Sequence, residues 1–434
     1  MPEIQPFRGL RFSQEHLAPD VLAPPFDVID EATRHSLLDR SPHNVVRIDK
    51  GPQGHDASWY QEAAQIKAQW IEDGVLVQDE TPAFYGYRQR FTLDEVAYER
   101  VGLIGAVRLQ PWGQGIHPHE RTRTGDRADR LLHMRAVAAN MSPVFGIYRD
   151  PDGVIEVLLA PPDELLLEEV VVDGVTQSFW RIDDPAALSA LSGLLSERDI
   201  VIADGHHRYE TALTYQAERR QADGDPPDVQ PYDYVMMYLT RAEAPGLRIL
   251  PTHRVIQGPE VDQESLLHKL HADFDIRPLW NPENWAHILS VAAEDTVALG
   301  LSLPDMGNYV LQMRDPGGLR SVNPDLPQEL LRLDVTVLER LILEPHLGIS
   351  IESLAAGERV TYTVDAESAL QAVKSRQAQA AFLLNPTTID QTWQVATHGM
   401  TMPQKSTYFY PKLLTGLVIY PLECVSILRG RDTP

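Results

Sequence analysis

The run richest in chemically able side chains is Asp199-Ile-Val-Ile-Ala-Asp-Gly-His-His-Arg-Tyr-Glu-Thr-Ala-Leu, in which Asp204, Gly205, His206, His207 and Arg208 follow one another. The short apolar stretch ending at Ala203 reads as a strand and the pattern after Gly205 as a helix, so these polar residues fall in the turn between them. Gly205 permits a sharp or positive-φ turn, and the first amides of the new helix then point at whatever lies over its N-terminus. A helix end alone favours an anion by about 0.3–1 kcal/mol, so the two imidazoles and the guanidinium matter more than the dipole. The set suits a phosphate. The competing reading is structural: Asp204 caps the helix, the histidines are polar residues at the surface, and Arg208 makes an ion pair.

A second cluster, His117-Pro-His-Glu-Arg-Thr-Arg-Thr-Gly-Asp-Arg-Ala-Asp-Arg, reads as a loop before a helix and offers His119, Thr122, Arg123 and Arg130 to a polyphosphate or metal-phosphate group. Its competing reading is a solvated charged loop. His119-Glu120 has no second histidine at helical spacing, so a zincin-type catalytic zinc is not supported. Asn140 stands at the entry of an expected strand, Ser142 to Tyr148. Pro24 and Pro25 stiffen a loop that presents Asp27. Lys405-Ser406-Thr407 echoes the end of a Walker A loop without its glycines, so a P-loop is rejected, with Lys405 the functional suspect of that segment. Pro251-Thr-His-Arg reads as structural.

The elements that must position these residues alternate along the chain. Ser58 to Glu72 and Ala128 to Ala139 read as helices and Val101 to Leu109 as a strand; Gln221 to Pro231 and Thr240 to Gly246 read as loops. Beyond a boundary near Pro251, Glu260 to Asp273 and Asp334 to Leu343 look helical, and Tyr309 to Met313, Val360 to Val364 and Ala378 to Leu384 look like strands. The expected fold class is α/β with mixed sheets, in two domains, 1–250 for phosphate or nucleotide and 251–434 as a second α/β domain whose C-terminal segment returns to the site.

The 434 residues carry 38 Lys and Arg against 62 Asp and Glu, a net charge of −24, with 43% hydrophobic residues. This is a globular composition, long enough for about two or three domains. The negative surface disfavours duplex DNA. The one cysteine, Cys424, allows neither a disulfide framework nor a thiolate cage, and a cytoplasmic location is expected. No stretch approaches the roughly 18 apolar residues of a membrane span. No repeat or low-complexity segment is evident.

Taken as a set, Pro25-Phe-Asp-Val-Ile, His119-Glu-Arg-Thr, Asn140-Met-Ser-Pro-Val-Phe-Gly-Ile-Tyr, Ala203-Asp-Gly-His-His-Arg-Tyr-Glu-Thr-Ala, Pro251-Thr-His-Arg and Met402-Pro-Gln-Lys-Ser-Thr-Tyr-Phe-Tyr-Pro-Lys resemble the domain-of-unknown-function family numbered 1015, nearly end to end. Within it, Asp204-Gly-His-His-Arg-Tyr-Glu is similar to the phosphate-gripping loop of the ParB/sulfiredoxin-like superfamily. The place of sulfiredoxin's reactive cysteine is taken by His206, which argues against sulfinic acid repair. The free-serine kinases of that superfamily resemble this chain more closely, since they carry a similar loop and move phosphate between a nucleotide and serine. The family pattern has a Pro-Lys pair where this chain reads Arg127-Ala128, which shifts one phosphate contact toward Arg127 or removes it.

The resemblance implies a nucleotide-dependent phosphotransferase acting on a small hydroxy amino acid, serine and O-phosphoserine foremost, in either direction. It implies ATP or ADP as cofactor together with Mg²⁺. His206, His207 and Arg208 would hold phosphates, Asp204 would bind Mg²⁺ or orient the acceptor hydroxyl, Lys405 and Arg123 would add charge, and Glu120 or Asp27 would be the general base. Gly205, His119, Thr122, Arg130, Asn140, Ser406 and Thr407 complete the expected site. Two alternatives stand beside it, a phosphoserine phosphatase-type hydrolase and a nucleotide-gated binding module of the ParB kind. A homodimer is left open.

Overall fold

The computed structural model describes residues 1–120, 124–163, 165–280, 284–315, 319–320 and 323–423. Thr122, Arg123 and Cys424, singled out above, lie outside the described residues. The chain is mixed α/β, in two compact units. Among the described residues the first draws on 1–118, 124–248 and 411–423, the second on 119–120 and 249–410. This differs from a single cut after residue 250. Leu413, Leu414, Leu417, Val418, Ile419 and Leu422 are buried, and Ala23 and Thr415 exchange backbone hydrogen bonds at 3.2 and 2.8 Å. Burial of that apolar run draws the last segment into the first unit.

The first unit is organised by a nine-stranded mixed sheet. Its long hairpin, Phe84–Leu93 with Val96–Arg108, turns through Asp94 and Glu95, both at positive φ, as a two-residue hairpin loop demands. Tyr234–Arg241 pairs antiparallel with Val96–Arg108 and parallel with Val144–Tyr148. Val144–Tyr148 in turn pairs antiparallel with Ile200–Asp204. Ser58–Glu72 is a helix because Trp59, Ala63 and Trp70 recur on one buried face. Helix Thr124–Val137 follows the expected Ala128 to Ala139 helix, beginning earlier.

The second unit holds a six-stranded sheet, ordered Phe274–Pro278, Gly307–Met313, Ala298–Leu303, Ala380–Leu383, His253–Ile256, Val360–Thr363, antiparallel throughout. Its strands bury both faces. Leu299, Leu301, Ala380 and Phe382 pack with one core, while Ala381 and Leu383 pack with Trp285, Ala369 and Val373 in another, the period-two alternation of a sheet with helices on each side. The stretch expected as one helix from Asp334 is α-helical to Val337, π-helical over Leu338–Leu343, and α-helical again over Glu344–Leu347.

Candidate functional site

The strand Ile200–Asp204 ends in a register shift opposite Phe145, and such a bulge re-aims the last side chain. Gly205 follows at φ +89° and opens the 17-residue helix His206–Ala222, whose N-terminus no side chain caps. Glycine is needed here twice over, since a Cβ would also meet the Arg208 guanidinium at 2.8–2.9 Å. Asp204 is therefore not an N-cap. Its Oδ1 accepts from Lys412 Nζ at 2.8 Å and its Oδ2 from Arg208 Nη2 at 2.7 Å. Burial alone would raise its pKa, but Lys412, Arg208 and His206 together hold the carboxyl well below the ordinary value.

Each cation is itself fixed. Arg208 Nη1 donates to Ser142 Oγ at 3.0 Å and to Pro143 O at 2.5 Å, so the guanidinium is built into the turn. The backbone carrying Lys412 is held by Gln89 Nε2, which donates to Lys412 O at 3.0 Å, and by Arg100 Nη2, which donates to Pro411 O at 2.6 Å. Arg100 is fully buried and lies 4.7 Å from the centre of the Phe145 ring. A charge so desolvated is tolerated because oxygens and π-faces surround it.

Arg208, Asn140, Ser142, Arg130 and Asp49 line one cleft of the same unit, with His133 and Phe26. Arg130 Nη1 donates to Asp49 O at 2.8 Å, and its guanidinium sits 4.4 Å from the Phe26 ring centre. Asp49 is buried with no partner on Oδ2. Burial pushes its pKa up against the pull of Arg130, Arg208 and Lys50, and the charge of Asp27 pushes in the same direction as burial. Burial also drives His133 down to about 3, so its imidazole is neutral and donates Nε2–H to Ile48 O at 2.7 Å. Phe26 and Arg130 belong as well to a cavity of about 490 Å³ with Lys50, Gly51 and His55. Asn140 is partly structural, its Oδ1 accepting from Met236 N at 2.9 Å. Asp27 lies exposed on the 3₁₀ turn Phe26–Val28.

The remaining described candidates form a separate group inside the second unit. His119 Nε2 and Thr407 Oγ1 share a hydrogen bond at 2.8 Å, and His119 O accepts from Met402 N at 2.7 Å. Glu120 Oε1 accepts the backbone N–H of Lys405 at 2.9 Å. Ser406 is buried, donating to Pro403 O at 2.6 Å, and its own carbonyl accepts from Thr387 Oγ1 at 2.9 Å. Arg127, to which a phosphate contact was expected to pass, pairs with Glu210 at 3.3 Å in the first unit. His253 and Arg254 of the Pro-Thr-His-Arg segment are buried.

Residues 4–336 match the family described as a protein of unknown function, DUF1015. The chain belongs to that family. Among curated proteins none matches. Among solved structures, this DUF1015 chain is similar to a conserved hypothetical protein from Pyrococcus furiosus at 11% identity and a TM-score of 0.33, over 71% of this chain and 90% of that one. A free serine kinase in complex with AMP gives 12% and 0.34, over 71% and 86%. SbnI with a C-terminal truncation, from Staphylococcus aureus, gives 12% and 0.34, over 76% and 90%.

Sequence reasoning missed Lys412 and Asp49. Lys412 closes the Tyr-Phe-Tyr-Pro-Lys signature of the family, which was the only signal for it; nothing local marks Asp49, which ends the four-residue helix Val46–Asp49. Asp204, expected to bind Mg²⁺ or orient the acceptor hydroxyl, is engaged here by Arg208 and Lys412. Both of its oxygens already serve cations, and a divalent ion there would meet two fixed positive charges. Among the described residues no group of three His, Cys, Asp or Glu could hold a metal. Among them also, no helix is long and apolar enough to cross a membrane.

Proposed function

We propose that this DUF1015 chain is a nucleotide-dependent phosphotransferase acting on a small hydroxy amino acid, serine or O-phosphoserine. The observation that carries the reading is the Asp204 turn, where an uncapped helix N-terminus is flanked by two histidines and a lysine held in place by a half-buried carboxylate. Phosphoryl transfer asks a protein mainly for positioning and charge neutralisation, and this turn supplies both. The cavity of about 490 Å³ beside Phe26, Lys50 and Arg130 lies within the roughly 300–1,000 Å³ of small-molecule sites and offers a ring and two cations to a nucleotide.

In this reading the helix N-terminus, His206, His207 and Lys412 hold the transferred phosphate. Arg208 and Asp204 position that turn instead of gripping the phosphate directly. In the direction of serine formation, the bond from phosphorus to the seryl oxygen breaks as a bond to the terminal ADP oxygen forms, giving ATP. The seryl oxygen takes a proton from Asp27, which in the opposite direction would be the base. Glu120 is assigned no proton transfer, because its carboxylate holds the Lys405 backbone. No step is routed through a metal at Asp204.

Phosphorus NMR of the protein with O-phosphoserine and Mg²⁺, with and without ADP, tests the proposal. ATP that appears only when ADP is present is the expected result. Free phosphate in both samples would replace it by hydrolysis, and no change in either would remove phosphoserine as substrate and favour the binding module.

A further inference from the structure

The second unit contains a cavity unrelated to the phosphate turn. Its wall is the helix that passes from α to π and back between Asp334 and Leu347. The widening has a cause in the sequence. Pro345 has no N–H, and in a regular helix its ring would press on the carbonyl of Leu341, so an extra residue in the preceding turn relieves the clash. Single π turns are rare and cluster at functional sites.

Thr336, Glu339 and Arg340, three and four residues apart, share one face of this helix and line a cavity of about 80 Å³. The rest of the lining combines the aliphatic side chains of Leu330, Ile351 and Leu354 with Tyr362, Thr401 and Gln404. One water needs roughly 10–15 Å³ by this measure, so the space takes about five to eight waters, or one molecule of the size of valine or leucine. Thr336 is 3% exposed, and its Oγ1 is buried without a hydrogen-bond partner. Such a hydroxyl is costly to leave unmatched and marks a place that a guest completes.

Charge narrows the guest. Glu339 is buried, and the fully buried Arg254 guanidinium lies within its electrostatic reach. Arg254 in turn packs 5.1 Å from the Tyr362 ring centre and donates to Thr252 O and, at 3.3 Å, to Gln404 O. Arg340 stands at the wetter end, about a quarter exposed, with Nη1 bonded to Glu344 at 3.0 Å. The helix thus presents a carboxylate, a hydroxyl and a guanidinium within one turn, and Leu330, Ile351 and Leu354 offer aliphatic carbon beside the more polar Tyr362, Thr401 and Gln404.

We propose that this cavity binds a small aliphatic zwitterion of the α-amino-acid class, with its ammonium at Glu339 and Thr336, its carboxylate toward Arg340, and its side chain against Leu330, Ile351 and Leu354. The inference does not rest on the phosphotransfer reading, and its test needs no turnover.

Isothermal titration of the full chain with L-valine, L-leucine, isobutylamine and isovalerate decides it. Saturable heat from at least one amino acid is expected, with affinity about tenfold or more above either half-molecule. Thr336→Val, which keeps the shape and removes the hydroxyl, and Glu339→Gln should each weaken it about tenfold. Leu330→Trp, filling the space, should abolish it. No saturable heat from either amino acid at millimolar concentration overturns the site, as does undiminished binding by all three variants. Equal affinity for isobutylamine overturns the zwitterion. The half-molecule comparison uses the unaltered chain, so it stands even if a variant fails to fold.

Discussion

The turn at Asp204 and the turn at Lys405 are made from the same stock of acid, lysine, serine and histidine, yet they direct those side chains at different partners. At Asp204, side-chain charge meets side-chain charge: Lys412 and Arg208 converge on one carboxylate whose surroundings are largely dry. In the 402–407 turn, side chains hold backbone instead, Glu120 taking the Lys405 N–H and Ser406 donating to Pro403 O. The first arrangement stores a fixed electrostatic field, because neither cation can leave without stranding the acid. The second shapes a loop. A lysine in a motif therefore says little until it is known whether the structure uses its ammonium or only its amide.

The contrast is broken most directly at Lys412. Lys412→Met should destabilise the chain by about 2–3 kcal/mol, since Asp204 would keep one of two cations at a site only a fifth exposed. It should also lower phosphoserine-dependent ATP formation at least ~10²-fold, as loss of a preorganised charge does. Urea midpoints and phosphorus NMR read the two effects, and a variant equal to the parent in both would dissolve the distinction between the turns.

A comparable effect, read through pH, belongs to the second unit. Asp334, which accepts from both Asn385 N and Nδ2 through one oxygen, is pushed up by burial to about 6 from 3.8. Between those values the folded chain binds the proton that the unfolded chain has released. Stability therefore falls as pH rises through that window, by on the order of 3 kcal/mol in full, and stays lower above it. Asp334→Asn should flatten this dependence in unfolding measured from pH 4 to 7; an unchanged slope would assign it to another group.

Gly205→Ala sharpens the comparison at smaller scale. Its positive φ and the 2.8 Å approach to Arg208 predict a cost of about 1–2 kcal/mol in thermal unfolding, with weaker phosphate binding because Arg208 must move. The smallest effect is expected for Lys405→Ala. Alanine keeps the N–H that Glu120 accepts, so the change in stability should stay within about 0.5 kcal/mol and phosphotransfer should be nearly unaffected. A large loss of turnover would mean that the Lys405 ammonium, too, is used.

What sequence reading could see was local. Ser58 to Glu72 was legible because Trp59, Ala63 and Trp70 recur on one face, and the strand, glycine and helix around Asp204 because apolar run, turn residue and new period adjoin. The π turn was not, since the periodicity of Asp334 to Leu343 reads as one helix and the cause, Pro345, lies just beyond it. Asp204 was singled out, and Arg208 was read either as gripping phosphate or as making an ion pair, of which the structure shows the ion pair; Lys412, 208 residues away, was named only within a signature. Asp49 owes its interest to Arg130 and to burial, neither of which leaves a mark on Val46-Arg-Ile-Asp.

The interleaving of the first unit has a consequence in time. Tyr420 pairs with Asn140, and Ile419 with Leu10, so a sheet edge and a strand laid down early remain incomplete until the ribosome has made residues 419 and 420. Residues 249–410 are synthesised in between, and their own sheet needs nothing from the last segment for its strand pairing. The later-coded body is thus able to fold while the earlier one waits, with Asp204 lacking its lysine throughout that interval. Long-range closure of this kind is slow, and it makes arrival of residue 412 the event that switches on the charge pair at the turn.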